Sequence, residues 1–308
     1  MKMLSSALFA AALLLSIGVL APAVAPAQEG MPVTIPFTKQ YDLKSQINGQ
    51  SYRLWISTPE KMNPAIAYPV FYALDGNELE GTLAYVSRKL SSANDVTRTT
   101  AEIKPAIVVG IGYPTDDLNV WRTRRNFDLT TSTKQPGFEK LQHGGMDAFI
   151  RVILEEIRPF VAAHFKTDPA LQIVQGHSLG GLTVLRILFR NPTAFNVYCI
   201  SSPSIWWNQR EVLADEPAFA KRAHAGEFNL RIAVNSAGDE QYRGDDPNLL
   251  AIANHDRMID NSSELADRLA ALNPEHITVT RTIFPGESHA SAVSPSLVRS
   301  LRFALSLK

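Results

Sequence analysis

The chain has 308 residues and a single cysteine, Cys199, so no internal disulfide can form. That cysteine lies in the apolar run FNVYCI, which reads as a buried, inert thiol rather than a nucleophile. Charge of neither sign predominates: Lys+Arg and Asp+Glu stand at 30 each. A neutral chain has no general electrostatic pull toward nucleic acid or an anionic membrane surface, so neither is expected as a partner. H-E-x-x-H, the P-loop and G-x-G-x-x-G are all missing, which leaves metal-dependent hydrolysis and nucleotide chemistry without an anchor. The acidic stretch DGNELE at 75–80 fits no EF-hand spacing, which removes calcium. No metal and no cofactor are expected.

Beyond the first twenty residues no apolar run approaches membrane-spanning length. At the start, Lys2 precedes an apolar run at 7–20, followed by APAVAPAQ with A-x-A-like sites after Ala25 and Ala27. That order of charged, apolar and small-residue segments predicts a signal peptide over 1–27. Residues 28–308 are then expected to form one exported domain, periplasmic or secreted, with no stable membrane insertion after cleavage. Nothing legible in the sequence sets an oligomeric state.

What is present alternates between strand and helix. TKQYDLKSQINGQSYRLWISTP reads as a hairpin turning at Asn48-Gly49. YPVFYAL, AIVVGIG and LQIVQ follow as short, continuously apolar strands, and FNVYCIS, LRIAVN and ITVTRTIF come later. Met146, Phe149, Ile150, Ile153, Ile157, Phe160 and Val161 keep the three-to-four spacing of one helical stripe. Further helices are expected around 210–221, 249–272 and 295–307. Strands without polar alternation, separated by helices, predict an α/β architecture: a mostly parallel central sheet under helices on both faces, opened by an antiparallel hairpin. The segment 119–145 lacks clear periodicity and reads as a long surface loop over the carboxyl edge of the sheet.

The sharpest feature is Gly176-His177-Ser178-Leu179-Gly180-Gly181, set between an apolar strand and an apolar helix. In such a strand–turn–helix the serine can take a strained backbone conformation that lifts its hydroxyl clear of the sheet, with glycines where side chains would collide. A serine needs a base, and the base an orienting acid, which in this arrangement follow in the order nucleophile, acid, histidine. Of seven histidines, His143 and His164 precede Ser178, and His177 sits in the turn itself. His224, His255 and His276 read as surface residues. His289, in the loop IFPGESHASA after a late strand, is the candidate base. The acid should follow LRIAVN, where Asp239 and Glu240 are adjacent and only one is expected to meet His289. Oxyanion donors are expected from the backbone N–H of Leu179 and from the turn at Asn77.

These stretches resemble the esterase branch of the α/β hydrolases, and within it the ferric enterobactin (trilactone siderophore) esterases. The resemblance spans YPVFYALDGN, VVGIGYP, RNFDLT at 125–130, EEIRPFV, GHSLGG, SSPSIWW at 201–207 and GESHAS. It implies the α/β-hydrolase fold, Ser178 as nucleophile, His289 as base, Asn77 and Leu179 as oxyanion hole, and Glu240 as acid, with Asp239 the alternative. The preceding NSAGD departs from the family's glycine spacing at the acid. An exported serine ester hydrolase is implied, working through an acyl-serine on a small-molecule ester, with a trilactone siderophore as substrate. An acyltransferase or a general short-chain or aryl esterase would use the same triad, and a binding protein on this scaffold would have lost part of it. Arg122, Arg124 and Arg125 are candidates to pair with an anionic ligand, unless Arg125 braces Asp128. Trp206 and Trp207 would wall the pocket or else pack under the sheet edge.

Overall fold

A computed structural model describes residues 30, 32–93, 100–131 and 141–307. The predicted signal segment lies outside these residues, as does 132–140 of the predicted loop. Ile35–Lys308 forms one compact unit.

The hairpin pairs β1 (Thr38–Lys44) with β2 (Ser51–Ser57), Lys44 opposite Ser51. Gly49 closes its turn at φ 69°, a conformation that costs glycine little. Then come β3 (Tyr68–Leu74), α1 (Gly76–Ser91), β4 (Ile107–Gly112), α2 (Leu118–Asp128) and α3 (Met146–Arg151). A π-helical stretch at Val152–Ile157 leads into α4 (Arg158–His164), followed by β5 (Thr167–His177), α5 (Leu179–Arg190) and β6 (Val197–Ser201). The chain ends with the short α6 (Trp207–Arg210), α7 (Glu216–His224), β7 (Leu230–Ala237), α8 (Pro247–Asp256), α9 (Met258–Ala270), β8 (Ile277–Phe284) and α10 (Val293–Leu305).

Eight strands make one sheet in the order β1-β2-β4-β3-β5-β6-β7-β8. β2 meets β4 antiparallel, and every pairing from β4 to β8 is parallel, as the apolar runs predict. Alternate residues of the strands feed two cores. Val70, Tyr72 and Leu74 of β3 pack with Phe149, Leu188 and Leu265 on one face. Phe71 and Ala73 pack with Leu83 of α1 and Leu301 of α10 on the other. Cys199 is fully buried in the second core, where burial pushes its thiol up to about 12.

Three expectations need correction. The segment read as a surface loop contains helix α2. Its start is fixed by Asp117, whose carboxylate accepts the N–H groups of Asn119 at 2.8 Å and Val120 at 3.3 Å. Its buried residues are Trp121, Asn126 and Asp128, so the inward face is largely polar and leaves no apolar period to read. The helix expected at 249–272 is two helices, broken at Arg257, whose φ of 43° cannot continue a right-handed helix. The helix expected from 210 begins as short turns, with Asn208, Gln209 and Arg210 all at positive φ, and becomes α-helical only at Glu216.

Glu80, on α1, is 4% exposed and accepts the Ser57 hydroxyl at 2.7 Å. Its second oxygen has no hydrogen-bond partner among the described residues. Burial pushes its carboxyl from 4.5 up to about 8, against the opposing Ser57 bond and the Arg88 charge. A carboxyl raised in this way keeps a proton that the unfolded chain has released. Its stabilising contribution is therefore full below about 4.5 and is lost as pH climbs through about 8. The melting temperature should accordingly decline between pH 5 and 8.5. Glu80→Gln, which is neutral throughout, should flatten that decline; an unchanged slope in the variant would place the titration elsewhere.

Candidate active site

β5 stops at His177 and α5 starts at Leu179, which leaves Ser178 alone in the turn at φ 62°, ψ −121°. For a residue with a side chain such a conformation costs on the order of 1–3 kcal/mol and persists only where the surroundings over-determine it. They do so here. The Ser178 N–H donates to the Ser201 carbonyl at 3.0 Å, and its own carbonyl accepts from Leu182 at 3.0 Å and Ser204 at 3.1 Å. A Cβ on Gly176 would collide with the backbone of Gly180, and one on Gly181 would stand 2.7 Å from the Ser201 carbonyl oxygen. The glycines thus let strand, turn and helix close on one another. The Ser178 hydroxyl lies 3.4 Å from that of Ser204. Leu179 opens α5, so its N–H belongs to the first turn, where backbone donors have no partner within the helix.

The candidate acid and base come from the loops after β7 and β8. Glu240 Oε2 lies 2.8 Å from His289 Nδ1. Its other oxygen accepts the Ser202 hydroxyl and the Ala237 N–H, each at 3.1 Å. The Glu240 side chain is 1% exposed and that of His289 42%. Asp239 is exposed and contributes its N–H to the Glu287 carbonyl at 3.0 Å, which joins the two loops. Glu240 therefore faces the base and Asp239 faces solvent. With Nδ1 directed at the carboxylate, the other ring nitrogen, Nε2, is left for proton transfer.

The turn after β3 brings Asn77 into the first turn of α1. Its side chain is spent on the loop after β4: Nδ2 donates to the Tyr113 and Thr115 carbonyls at 2.9 and 3.0 Å, and Oδ1 accepts the Tyr113 N–H at 2.8 Å. Only its backbone N–H is left for an oxyanion. Asp75, just before, takes a left-handed φ of 63° and is 8% exposed. Its carboxylate lies close to the elbow, since a Cβ on Gly180 would stand 3.3 Å from Oδ2.

Arg125 holds these parts together. Its Nε and Nη2 form a fork on the two Asp75 oxygens at 2.6 and 2.8 Å, and Nη2 also reaches the His177 carbonyl at 3.3 Å. The expectation that Arg125 braces Asp128 is thus corrected: its partner is Asp75. Arg124 is the arginine near Asp128, 3.9 Å away, and it lies over the rings of Tyr113 and Tyr52. Asp128 is fully buried, and burial pushes its carboxyl up to about 6 against the Arg124 charge. Arg122 is exposed.

Of the two tryptophans, Trp207 is 1% exposed and belongs to the core, so it packs rather than lining an open wall. Trp206 is half-buried, with its ring 5.7 Å from Trp207 and 5.9 Å from His255 of α8. Three neighbours of the site escaped the sequence reading. Ser202 and Ser204 bond Glu240 and Ser178, and their only signal was the SSPS run beside the tryptophans. His177 was set aside as a base because of its place in the elbow, yet its ring packs 4.7 Å from that of His289.

The family model described as "Putative esterase" matches residues 45–273. The ferri-bacillibactin esterase BesA of Bacillus subtilis is 34% identical over 277 residues, covering 88% of this chain and 91% of that protein. The siderophore triacetylfusarinine C esterase of Aspergillus fumigatus is 31% identical, covering 88% of this chain and 94% of its own. Among solved structures, the BES protein of Bacillus cereus superposes with a TM-score of 0.78 at 31% identity, over 92% of this chain and all of that one.

The fork between Arg125 and Asp75 is partly desolvated, with side chains 17% and 7% exposed. Arg125→Lys keeps the charge but cannot fork, and it strands a buried carboxylate. It is expected to cost about 2–4 kcal/mol in chemical denaturation and to lower turnover by loosening the Asn77 turn. Arg122→Ala, at an exposed position, should stay within about 0.5 kcal/mol of wild type. Equal stability of the two variants would show the fork to be dispensable.

Proposed function

Because this chain belongs to the esterase family of carboxylic ester hydrolases, we propose that it cleaves esters through an acyl intermediate on Ser178, with His289 as base and Glu240 as the acid that orients it. The observation that supports this most directly is the 2.8 Å contact between Glu240 and His289 Nδ1, at the same edge of the sheet as the strained serine turn. In this reading His289 Nε2 takes the Ser178 proton as Oγ attacks the ester carbonyl carbon. The negative charge on the carbonyl oxygen is received by the N–H groups of Leu179 and Asn77. Collapse of the tetrahedral intermediate breaks the ester bond, and the departing alcohol takes the proton from His289. Water then attacks the acyl carbon, giving one proton to His289; collapse breaks the acyl–Oγ bond, Ser178 takes that proton back, and the carboxylic acid is released.

Glu240 is not asked to change its own protonation. It holds the imidazole in the tautomer with hydrogen on Nδ1 and balances the imidazolium charge. Ser178→Ala and His289→Ala should each lower kcat by about four orders of magnitude or more, and the double variant little further, because the two act as one unit. Glu240→Gln should cost about two to four orders, and Asp239→Asn far less. Steady-state kinetics on p-nitrophenyl acetate measures all five; near-normal turnover in Ser178→Ala would end the acyl-serine reading.

For the substrate we propose a siderophore ester, on the strength of relatives named for ferri-bacillibactin and triacetylfusarinine C that span most of the chain. Residues 1–27 carry the pattern of an export signal, which would place the enzyme outside the cytoplasm, where such ligands are met. Arg124 and Arg125 are paired or stacked within the fold and Trp207 is buried; the exposed Arg122 and the half-buried Trp206 are the candidates to meet an anionic, aromatic ligand. Arg122→Glu should raise KM for an iron-loaded trilactone several-fold while leaving KM for p-nitrophenyl acetate unchanged. An enzyme that hydrolyses simple esters and leaves the trilactone intact would remove the siderophore assignment and keep the esterase.

A further inference from the structure

His289 is held by surprisingly little hydrogen bonding for a base. Its ring makes one side-chain hydrogen bond among the described residues, to Glu240, and the side chain is 42% exposed. It sits in a turn after β8 that contains Gly286 at φ 76°. One bond through Nδ1, on a ring this exposed, leaves play in the side-chain torsions and hence in where Nε2 stands relative to Ser178. A second contact, on the face of the ring, would limit that play.

His177 supplies a surface there. Its ring centroid is 4.7 Å from that of His289, tilted at 42°. It is 7% exposed, at the end of a central strand, and its carbonyl receives Arg125 Nη2 at 3.3 Å. Neither of its ring nitrogens makes a well-formed hydrogen bond among the described residues. It is thus a polar ring used as packing surface, on the residue immediately before the nucleophile. We propose that His177 is a positioning residue for the acyl-transfer reaction: its buried ring backs the His289 imidazole and fixes the plane in which Nε2 meets Ser178. This rests on the assignment of Ser178 and His289 made above.

The charge state suits the role. Burial, chiefly, and then the neighbouring His289 and Arg125 charges push His177 down to about 3, although the His289 backbone lies close enough to favour the charged ring slightly. His177 therefore stays neutral while His289 gains and loses its proton, and adds no positive charge opposing that step.

The test compares His177→Phe, which keeps a flat ring in an apolar slot, with His177→Leu, which fills similar space without one. Each is assayed for kcat and KM on p-nitrophenyl acetate, for the rate at which a fluorophosphonate labels Ser178, and for melting temperature. His177→Leu is expected to lose about 10- to 100-fold in kcat, the scale of misplacing a catalytic group by about 1 Å. Its labelling rate should fall in parallel, with KM within about twofold. His177→Phe should recover most of both rates. The melting temperatures of the two variants should agree, so that stability does not explain the difference. Equal rates in the two variants, whether high or low, would overturn the proposal, as would loss confined to KM. Wild type and Ser178→Ala, run alongside, read the parent assignment on their own: a labelled, active wild type and an inert Ser178→Ala leave it standing whatever His177 does.

Discussion

The backbone of Ser178 is held where side-chain-bearing residues rarely go, and the surrounding structure is arranged around that one strained turn. The φ of 62° is imposed from several sides: by the Ser201 carbonyl on the N–H, by the Leu182 and Ser204 N–H groups on the carbonyl, and by Arg125 on the carbonyl one residue earlier. These partners lie on α5, on β6 and the loop after it, and on α2, so the turn can relax only if elements from distant parts of the chain move together. The strain is small beside the total stability of a domain but large beside any one of those bonds. This explains why so many polar contacts converge on a turn of a few residues. It also explains why the glycines at 176 and 181 sit where backbone meets backbone: without that close approach none of the bonds could reach.

The sheet and the elbow were legible because each rests on a local rule. Continuous apolar runs announce strands buried on both faces, Asn48-Gly49 announces a hairpin, and glycine at fixed offsets announces a turn in which side chains would collide. Helix α2 was not legible, because its inward face carries Asn126 and Asp128 beside Trp121 instead of an apolar stripe. A period search looks for a contrast between apolar and polar faces, and α2 has polar groups on both. The same polar packing misled the reading of its arginines. From sequence alone Arg124 and Arg125 are cations in a loop and free to meet a ligand. In the fold, one lies over two tyrosine rings beside Asp128 and the other is forked onto Asp75.

That difference changes how the charge near the site should be understood. Three arginines within four residues suggest a basic patch, yet two are neutralised by, or stacked on, their own neighbours. The cluster therefore projects less positive charge than the sequence implies, and Arg125 works through geometry: it makes the turn that presents Asn77 and the strand that presents Ser178 move as one piece. An oxyanion hole needs its donors held at fixed positions more than it needs net charge, since preorganised dipoles cost nothing to reorient when the charge develops.

Which carboxylate meets His289 follows from register. β7 and β8 run parallel with Ala237 opposite Phe284, and their hydrogen bonding continues past the strand ends, from Gly238 N–H to the Phe284 carbonyl at 2.8 Å and from Asp239 N–H to the Glu287 carbonyl at 3.0 Å. These bonds carry the acid loop and the base loop forward together, so the residue after Asp239 arrives beside the residue two beyond Glu287. Glu240 and His289 are those residues. In the bend after β7 the Glu240 side chain is seated inward while Asp239 faces solvent. The longer side chain is also what the site requires, because it must reach back to the Ala237 N–H and Ser202 hydroxyl with one oxygen while offering the other to His289. An aspartate at 240 would be one methylene short of holding both ends. The departure from the family's glycine spacing in NSAGD leaves the pairing intact, because the two strands set it and Gly238 still lets the loops close: a Cβ there would stand 2.8 Å from the Phe284 carbonyl oxygen.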